Sequence, residues 1–239
     1  MALEGVEGFY PLTPLQQGLL FESLLHPESG AYFNQMMATL DESTDLDRLE
    51  EAWTAVVARH PILRTGFVWE GVKEPVQVVE RSVELPWSVE DWSHRTAAER
   101  QGGLEAYLAE ERAKGFDLGR APLMRFRLTR MGDDGIHFVW SFHHLLLDGW
   151  SMYLVLSEVF ESYEQLGRGE SHSLVERPPF RSYVAWTRRS DTEGAKAYWR
   201  RRMAGARPAP LSVGRPEADG VAETVEDCRW VMRTLSREA

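Results

Sequence analysis

The sequence predicts an α/β layered domain, in which helices and strands alternate along the chain. Three observations support this fold class. Segments with apolar residues at helical spacing follow segments with strand-like apolar runs over the whole sequence. The chain has 239 residues, which suffices for one large domain or two small ones. Hydrophobic residues make up 43% of the chain, so a sizeable core is expected.

Helices are predicted where capping residues precede an amphipathic pattern. Thr13 and Gln16 form a capping box at the start of the first helix, with Pro14 at its first position, and the helix continues through "LLFESLL". The second helix, in "DLDRLEEAWTAVVARHP", should end before Pro61, because a proline disfavours helix at the residue before it. Further helices are predicted in "TAAERQGGLEAYLAEERAKGFDL", "WSMYLVLSEVFESYEQL", "RSYVAWTRR" and "TEGAKAYWRRRMAG".

Strands are predicted between these helices. "PESGAYFNQMMATL" indicates a turn and then a strand, and "ILRTGFVWEGVKEPVQVVE" indicates a hairpin around residues 70–74. The segment "PLMRFRLTRMGDDGIHFVWSFHH" predicts two strands joined by "GDDG". In the first, arginines alternate with apolar residues and predict one solvent-facing side, whereas the second is apolar enough to be buried on both sides. A last strand is predicted in "ETVEDCRWVMRTL", after a Pro/Gly-rich connection.

Charge and composition argue against several classes of function. The formal net charge is −10, whereas a nucleic-acid surface needs a basic footprint. Cys228 is the single cysteine, so an intrachain disulfide is excluded. The N-terminus lacks the basic and apolar regions of a signal peptide, and no stretch approaches the roughly 18 apolar residues of a membrane span. We therefore expect a cytoplasmic protein with no nucleic-acid or membrane partner.

The segment "SFHHLLLDGWS" (Ser141–Ser151) joins a buried strand to an amphipathic helix through a short loop. Adjacent residues on a strand point to opposite faces, so His143 and His144 cannot have the same role. One should face the interior, while the other can face a cleft at the strand end. Asp148 is a predicted N-cap of the following helix, and Gly149 would permit a tight turn and a close backbone approach.

Three interpretations of this segment compete. The histidines could be ordinary buried polar groups, with the aspartate only capping a helix. A metal site could use His143, His144 and Asp148, although adjacent strand residues diverge and no further Cys/His/Glu cluster lies nearby in the sequence. Alternatively, one histidine transfers protons at the mouth of a cleft. These residues alone leave the choice open.

Four segments together resemble a known family. HHxxxDG, in its strand–loop–helix context, resembles the signature of nonribosomal peptide synthetase condensation domains. Tyr10–Gln35 is similar to the family's N-terminal motif, and Arg59–Phe67 ("RHPILRTGF") to its second motif. Phe180–Trp186 ("FRSYVAW") resembles a fourth motif, with Ser182 in or near the usual acidic position. The resemblance implies a chloramphenicol acetyltransferase-like lobe, with a mixed, mostly antiparallel sheet flanked by helices.

The resemblance covers essentially the whole chain, but only about half of a family member, which has two similar lobes around a tunnel. Residues 1–205 are therefore expected to form the N-terminal lobe. Residues 206–239 are expected to be a linker and a final strand that lead toward a C-terminal lobe. The lobe alone should be inactive and should self-associate weakly, because a face that the second lobe normally covers would be exposed.

The resemblance also implies the reaction and the partners. A donor peptidyl or acyl thioester and an acceptor aminoacyl thioester, both on the 4'-phosphopantetheine of carrier proteins, would be joined by a peptide bond. His144 matches the second histidine of the motif and is the candidate catalytic residue, as a base, a positioning group or a charge stabiliser. Expected partners are the donor and acceptor peptidyl carrier proteins, the C-terminal lobe and an adjacent adenylation domain. The lobe itself is expected to bind no cofactor and no metal.

The other residues of the motif are expected to support the turn. By the family resemblance, Asp148 should form a buried pair with Arg64 in "ILRT". His143 would be a packed partner of the loop. Gly149 and Trp150 would complete the turn.

Finer and alternative functions stay open at the level of sequence. The flanks "LTPLQQGLLF" and "WSFHHLLLDGW" resemble condensation domains that accept a donor ending in a D-residue. A freestanding acyltransferase shares the HxxxDG core, but the segments Tyr10–Gln35 and Phe180–Trp186 argue against it. A noncatalytic module that docks carriers or neighbouring domains is the third alternative. The length of the native gene product would discriminate between these hypotheses.

Overall fold

The structure is a computed structural model that describes residues 5–171 and 173–206, and its helices and strands alternate as predicted. The helices of this part are α1 (Pro14–Leu25), α2 (Leu46–Arg59), α3 (Ala97–Lys114), α4 (Gly149–Gly167), α5 (Phe180–Arg189) and α6 (Thr192–Arg202). The strands are β1 (Val6–Pro11), β2 (Phe33–Leu40), β3 (Thr65–Val68), β4 (Val76–Glu80), β5 (Trp87–Asp91), β6 (Met124–Arg130) and β7 (Ile136–His143).

The first two helices begin and end where the sequence predicts. The Thr13 hydroxyl accepts a hydrogen bond from the Gln16 amide at 3.2 Å, and the Gln16 side chain accepts one from the Thr13 amide at 3.1 Å. Helix α2 begins after its N-cap Asp45 and ends one residue before His60 and Pro61. Local capping chemistry and the proline rule are therefore sufficient to set these boundaries.

The strands form two sheets. Strands β1, β4 and β3 make a three-stranded antiparallel sheet, in which β3 and β4 are the predicted hairpin. Strands β2, β7, β6 and β5 make a four-stranded sheet, in which only β5 runs parallel to its neighbour. Strands β1 and β5 lack a prediction from sequence, because neither has a clear strand pattern. In addition, β1 contains Gly8 and a register shift, and β5 ends in two acidic residues.

The main core lies between the four-stranded sheet and helix α2. The Trp53 ring of α2 packs against Phe126 of β6 and Trp140 of β7, with ring centroids 4.6 and 4.8 Å apart. All three side chains are buried. Burial of a large apolar side chain stabilises a fold by about 1.5–3 kcal/mol. This aromatic cluster therefore anchors β7, the strand that ends at the histidines.

The prediction that β6 has a solvent-facing side is wrong, because helix α3 and the segment after it cover that side. The Nε of Arg125 donates to the Glu111 carboxylate at 2.5 Å, and its guanidinium lies 4.2 Å from the Phe116 ring centroid. The guanidinium of Arg127 lies 4.2 Å from the Tyr107 ring centroid. Aromatic faces and a carboxylate thus take the place of water around these arginines.

The expected domain boundary stays a prediction. The proposed N-terminal lobe, residues 1–205, coincides largely with the described part of the chain. The final strand predicted in "ETVEDCRWVMRTL" and all of the linker beyond residue 206 lie outside the described residues. In the described part, no helix is long and apolar enough to cross a membrane. The cytoplasmic location also stays a prediction.

Candidate functional site

The turn after β7 is held by its backbone and by three buried leucines. The His144 amide donates to the Tyr32 carbonyl at 2.8 Å, and the Leu146 amide donates to the His143 carbonyl at 3.1 Å. The leucines at 145, 146 and 147 all belong to the main core. The three leucines therefore anchor the loop in the core and hold the two histidines in position.

His143 faces the interior in the structure. Its Nδ1 accepts a hydrogen bond from the Leu145 amide at 3.2 Å, so the ring proton is on Nε2. Nε2 lies 3.4 Å from the Ser23 hydroxyl, whose own proton goes to the Leu19 carbonyl. Burial lowers the pKa of His143 to about 4, and the neighbouring His144 adds to the lowering. His143 is thus a neutral, packed side chain under ordinary conditions.

His144 is half-buried and lines a cavity. Its Nδ1 lies 2.8 Å from the Leu147 carbonyl. A carbonyl can only accept, so Nδ1 carries the ring proton and Nε2 keeps a lone pair. Among the described residues, no protein group is hydrogen-bonded to this Nε2. The arrangement leaves one ring nitrogen of His144 able to accept a proton from a molecule in the cavity.

The cavity has a volume of about 1080 Å³ and runs between α1, α4 and the start of α5. His144 and Asp148 lie on its wall together with Ser151 at the start of α4. Leu154 and Val155 continue the wall along the same helix. The wall also carries Arg59, His60, Glu176 and Arg177, so the cavity combines apolar and polar groups, as small-molecule sites commonly do.

The position of the histidine turn depends on Gln16, for which the sequence predicts only a capping role. Its Nε2 donates to the Leu145 carbonyl at 3.1 Å and to the Gln77 side-chain oxygen at 3.1 Å. Gln77 donates back to the Gln16 side-chain oxygen at 3.0 Å. Both glutamines are buried. A capping box does not show which residue of a distant strand will pair with its glutamine. The sequence therefore does not predict the hydrogen bonds between Gln16 and Gln77 of β4.

Asp148 is the N-cap of α4, as the sequence predicts for its local role. Its carboxylate accepts a hydrogen bond from the Ser151 amide at 2.8 Å. This hydrogen bond holds the pKa of Asp148 below its usual range. The Asp148 side chain is exposed. It therefore stabilises a helix end without forming a buried ion pair.

The predicted pair between Arg64 and Asp148 is wrong. The buried Arg64 guanidinium is instead paired with Glu7 at 3.0 Å and donates to the carbonyls of Glu80 and Arg81. The physical reason is the 3₁₀ turn Pro61–Arg64, which directs this side chain to the edge of the three-stranded sheet. Arg64 is thus a structural residue, but it serves the sheet and not the histidine loop.

Gly149 and Trp150 are the first two residues of α4, directly after the histidine turn. Gly149 is the first residue of α4, and a Cβ added to it would meet nothing within 4 Å. Neither a close backbone approach nor a left-handed conformation requires a glycine there. The Trp150 side chain is 83% exposed, because the first turn of α4 directs it outward. The supporting role expected of Trp150 stays a prediction.

The three side chains of the metal-site interpretation are engaged with the backbone. His143 accepts from one amide, His144 donates to one carbonyl, and Asp148 caps a helix. Within residues 5–171 and 173–206, no group of three or more His, Cys, Asp or Glu side chains is placed to hold a metal ion.

A second polar cluster lies near the cavity, and no sequence motif predicts it. Glu158 of α4 is buried and accepts from the His60 Nε2 at 2.6 Å and from the Nε of Arg177. The Arg59 Nε lies 3.6 Å from the same carboxylate. Burial disfavours the ionised carboxyl, but the hydrogen bonds from Arg177 and His60 outweigh it and hold the pKa of Glu158 below its usual range. The available signal in the sequence is a glutamate beside Val159, in the buried stripe of an amphipathic helix.

The family can be assigned once this geometry is compared with known proteins. The sequence profile described as "Condensation domain" matches residues 6–226. The chain belongs to the condensation domain family. The match includes both sheets, the histidine turn and the helices α1 to α6.

Relatives of this condensation domain chain are much longer proteins. A linear gramicidin synthase protein from Brevibacillus parabrevis is 44% identical over 214 residues, which is 89% of this chain and 4% of that protein. Bacitracin synthase 1 from Bacillus licheniformis is 40% identical over 195 residues, which is 82% of this chain and 4% of that protein. The chain therefore spans only a small part of the length of these relatives.

Solved structures confirm the predicted fold class. The starter condensation domain of rhizomide synthetase has a TM-score of 0.73 and 19% sequence identity, over 84% of this chain and 49% of that chain. The first condensation domain of the calcium-dependent antibiotic synthetase has a TM-score of 0.71 and 19% identity, over 84% of this chain and 49% of that chain. The fold is thus that of a chloramphenicol acetyltransferase-like lobe, and it aligns with about half of each condensation domain.

The separate partners of Arg64 and Asp148 lead to a test by unfolding in urea. Asp148→Ala should lower the free energy of unfolding by about 1 kcal/mol, the usual value of an N-cap. Asp148→Asn should be nearly neutral, because asparagine caps as well as aspartate. Arg64→Leu should cost more, about 2 kcal/mol or above, since buried carbonyls lose their donor. If Asp148→Ala lowered the free energy of unfolding as much as Arg64→Leu, the result would support a direct ion pair between Arg64 and Asp148.

The low pKa of His143 predicts a pH-dependent stability. The ordinary pKa of histidine is about 6.5, so the unfolded chain takes up a proton between pH 6.5 and 4 that the folded chain does not. This contribution to stability is complete above pH 6.5 and is lost as the pH falls toward 4. Urea unfolding at pH 7 and pH 5 should show a loss about 2 kcal/mol smaller in His143→Gln than in the unmodified chain. Equal losses in the two proteins would show that His143 is protonated in the folded state.

Proposed function

We propose that this chain is the N-terminal lobe of a nonribosomal peptide synthetase condensation domain that forms a peptide bond. The donor is a peptidyl or acyl thioester, and the acceptor is an aminoacyl thioester. The observation that supports the proposal is the state of His144, which lines the cavity and whose Nδ1 proton is held by the Leu147 carbonyl, so that Nε2 keeps its lone pair. The unprotonated ring nitrogen of such a histidine can act as a general base.

The proposed reaction begins with attack of the acceptor amine on the donor thioester carbonyl. A free α-amine has a pKa of about 7.7–8.0, so a good fraction is already unprotonated near neutral pH. The attack forms a carbon–nitrogen bond and gives an adduct with a cationic nitrogen and an oxyanion. His144 Nε2 takes the nitrogen proton, the carbon–sulfur bond breaks, and the departing thiolate receives a proton. The N-terminal end of α4, which begins at Gly149, favours negative charge on the oxygen.

Substrates and partners follow from this reaction. Both thioesters would be presented on the 4'-phosphopantetheine of donor and acceptor peptidyl carrier proteins, so the lobe itself would bind no cofactor. A C-terminal lobe would close the cleft, and an adenylation domain would be a neighbour in the same synthetase. The relatives named as linear gramicidin synthase and bacitracin synthase support this setting.

We further propose that the donor ends in a D-residue. The flanks "LTPLQQGLLF" and "WSFHHLLLDGW" are the sequence features that support this subtype. Both flanks lie at the site, because Thr13, Gln16 and His144 line the same cavity. The stereochemistry of the donor's last residue would thus be sensed close to the reacting carbonyl.

The function is tested by His144→Ala in a protein that carries this lobe together with a C-terminal lobe. Carrier-bound donors ending in a D- or an L-residue are offered with a carrier-bound acceptor, and peptide product is measured by mass spectrometry. The unmodified protein should prefer the D-residue donor. The variant should lose about 10²- to 10⁴-fold in rate with either donor, as expected for a proton-transfer group.

The control for this experiment is His94→Gln, at an exposed histidine that is not part of the cavity wall. Its rate should equal that of the unmodified protein. Near-normal product formation by His144→Ala would exclude His144 from the mechanism, whereas a preference for the L-residue donor would reject only the subtype.

Exposed apolar side chains predict weak self-association of the lobe. Trp150 and Tyr153 on α4 are largely exposed, as are Leu15 and Phe21 on α1. Large exposed apolar patches usually mark an interface, and a C-terminal lobe would be the natural partner. Sedimentation of the chain at rising concentration should therefore give a mass above 27.4 kDa, and Trp150→Ser should reduce this rise in mass.

The same chain should form no peptide product above background. A strictly monomeric chain would contradict the association, and efficient product formation would show that a second lobe is dispensable.

A further inference from the structure

The segment 173–179, which we name the strap, connects α4 to α5 without helical or strand structure. The Ser173 amide donates to the Gln165 side chain at 2.8 Å, and Gln165 donates back to the Ser173 carbonyl at 3.3 Å. Further along, the Val175 carbonyl accepts a hydrogen bond from Arg59 of α2. The strap is thus fastened to two helices, although it is itself irregular.

Glu158 provides the third and most buried attachment. It is 3% exposed, and each of its carboxylate oxygens has a different partner. Oε1 accepts from Arg177 of the strap, while Oε2 accepts from His60 at 2.6 Å. A single buried carboxylate therefore joins the strap to the segment that precedes β3. Charge-assisted hydrogen bonds of this kind are about twice as strong as neutral ones.

The strap forms part of the wall of the cavity that His144 lines. Residues 176–179 of the strap belong to the cavity wall. Ser151, which follows the histidine turn, belongs to the same wall, and Leu154 and Val155 continue it along α4 with apolar side chains. Seven residues separate Ser151 from Glu158, which is about 10 Å along a helix. An extended apolar group that starts at His144 and follows α4 would therefore meet the strap.

We propose that the strap is a specificity-determining wall, which limits the length of the donor's apolar acyl group or side chain, and that Glu158 is the residue that positions it. The proposal rests on the proposed function, since it takes His144 as the reacting end. Two proline residues, Pro178 and Pro179, stiffen the strap where it faces the cavity. Short groups fit between His144 and the strap, whereas longer groups require the strap to move.

The test measures binding, so that it does not depend on condensation. The 239-residue chain is titrated calorimetrically with butanoyl, octanoyl and dodecanoyl thioesters of N-acetylcysteamine. The unmodified chain should bind the octanoyl thioester more tightly than the dodecanoyl thioester. Glu158→Gln should raise the affinity for the dodecanoyl thioester, relative to the butanoyl thioester, by about tenfold, because the carboxylate charge that holds Arg177 is lost.

Matched variants separate positioning from general damage. Arg177→Gln should have the same effect, and its side chain is 39% exposed, so it can be altered with little cost to the core. If circular dichroism shows that Glu158→Gln is unfolded, Arg177→Gln carries the test. Glu164→Gln, on the exposed side of the same helix, should leave the length profile unchanged.

Two results would overturn the proposal. One is an equal change of affinity for all three thioesters in Glu158→Gln or Arg177→Gln, because a merely structural role would produce it. The other is an unmodified chain that binds the three thioesters equally, or binds none of them. Because the readout is the binding of thioesters and not product formation, a failure of the proposed condensation chemistry would be seen separately.

Discussion

The side-chain amide of Gln16 holds the candidate site together. Its oxygen accepts from the Thr13 amide and hydroxyl and from Gln77, and its nitrogen donates to Gln77 and to the Leu145 carbonyl. Every hydrogen-bonding group of this buried amide is therefore used. Because an unpaired buried polar group costs about 1–3 kcal/mol, the start of α1, strand β4 and the histidine turn must be placed together. The capping box therefore also positions the candidate site.

The fixed turn gives two adjacent histidines opposite tautomers. The Leu145 amide takes the Nδ1 lone pair of His143, and the Leu147 carbonyl takes the Nδ1 proton of His144. His143 is consequently a neutral group inside the core, while His144 lines the cavity and keeps the lone pair on its Nε2. One backbone segment thus places two residues of the same type in different settings, one packed in the core and one proposed as the proton acceptor. The α4 helix that follows extends the site by carrying Glu158, which holds the strap in the wall of the cavity.

Sequence reasoning succeeds where the controlling interaction is local. The Thr13 cap and the hairpin of β6 and β7 depend on neighbours in the chain, and both are correct. It fails where the partner is chosen by tertiary packing. Arg64 points to the three-stranded sheet, where backbone carbonyls accept its hydrogen bonds. The arginines of β6 lie under α3, where they contact aromatic rings. The spacing of residues in the sequence does not predict either set of partners. Family resemblance identified the motif residues, but it supplied the wrong partner for Asp148. The Glu158 cluster joins side chains far apart in sequence, so it emerges only from the fold.

The proposed role of His144 requires one tautomer of its ring, and nuclear magnetic resonance can measure this tautomer directly. A long-range proton–nitrogen correlation spectrum of the nitrogen-labelled chain at about pH 7.5, well above the ordinary histidine pKa, distinguishes protonated from unprotonated ring nitrogens. The variants His144→Gln and His143→Gln assign the signals. His144 should show a protonated Nδ1 and an unprotonated Nε2, and His143 the reverse pattern. A His144 ring with its proton on Nε2 would contradict the proposed role, because that nitrogen could then not accept the proton of the attacking amine.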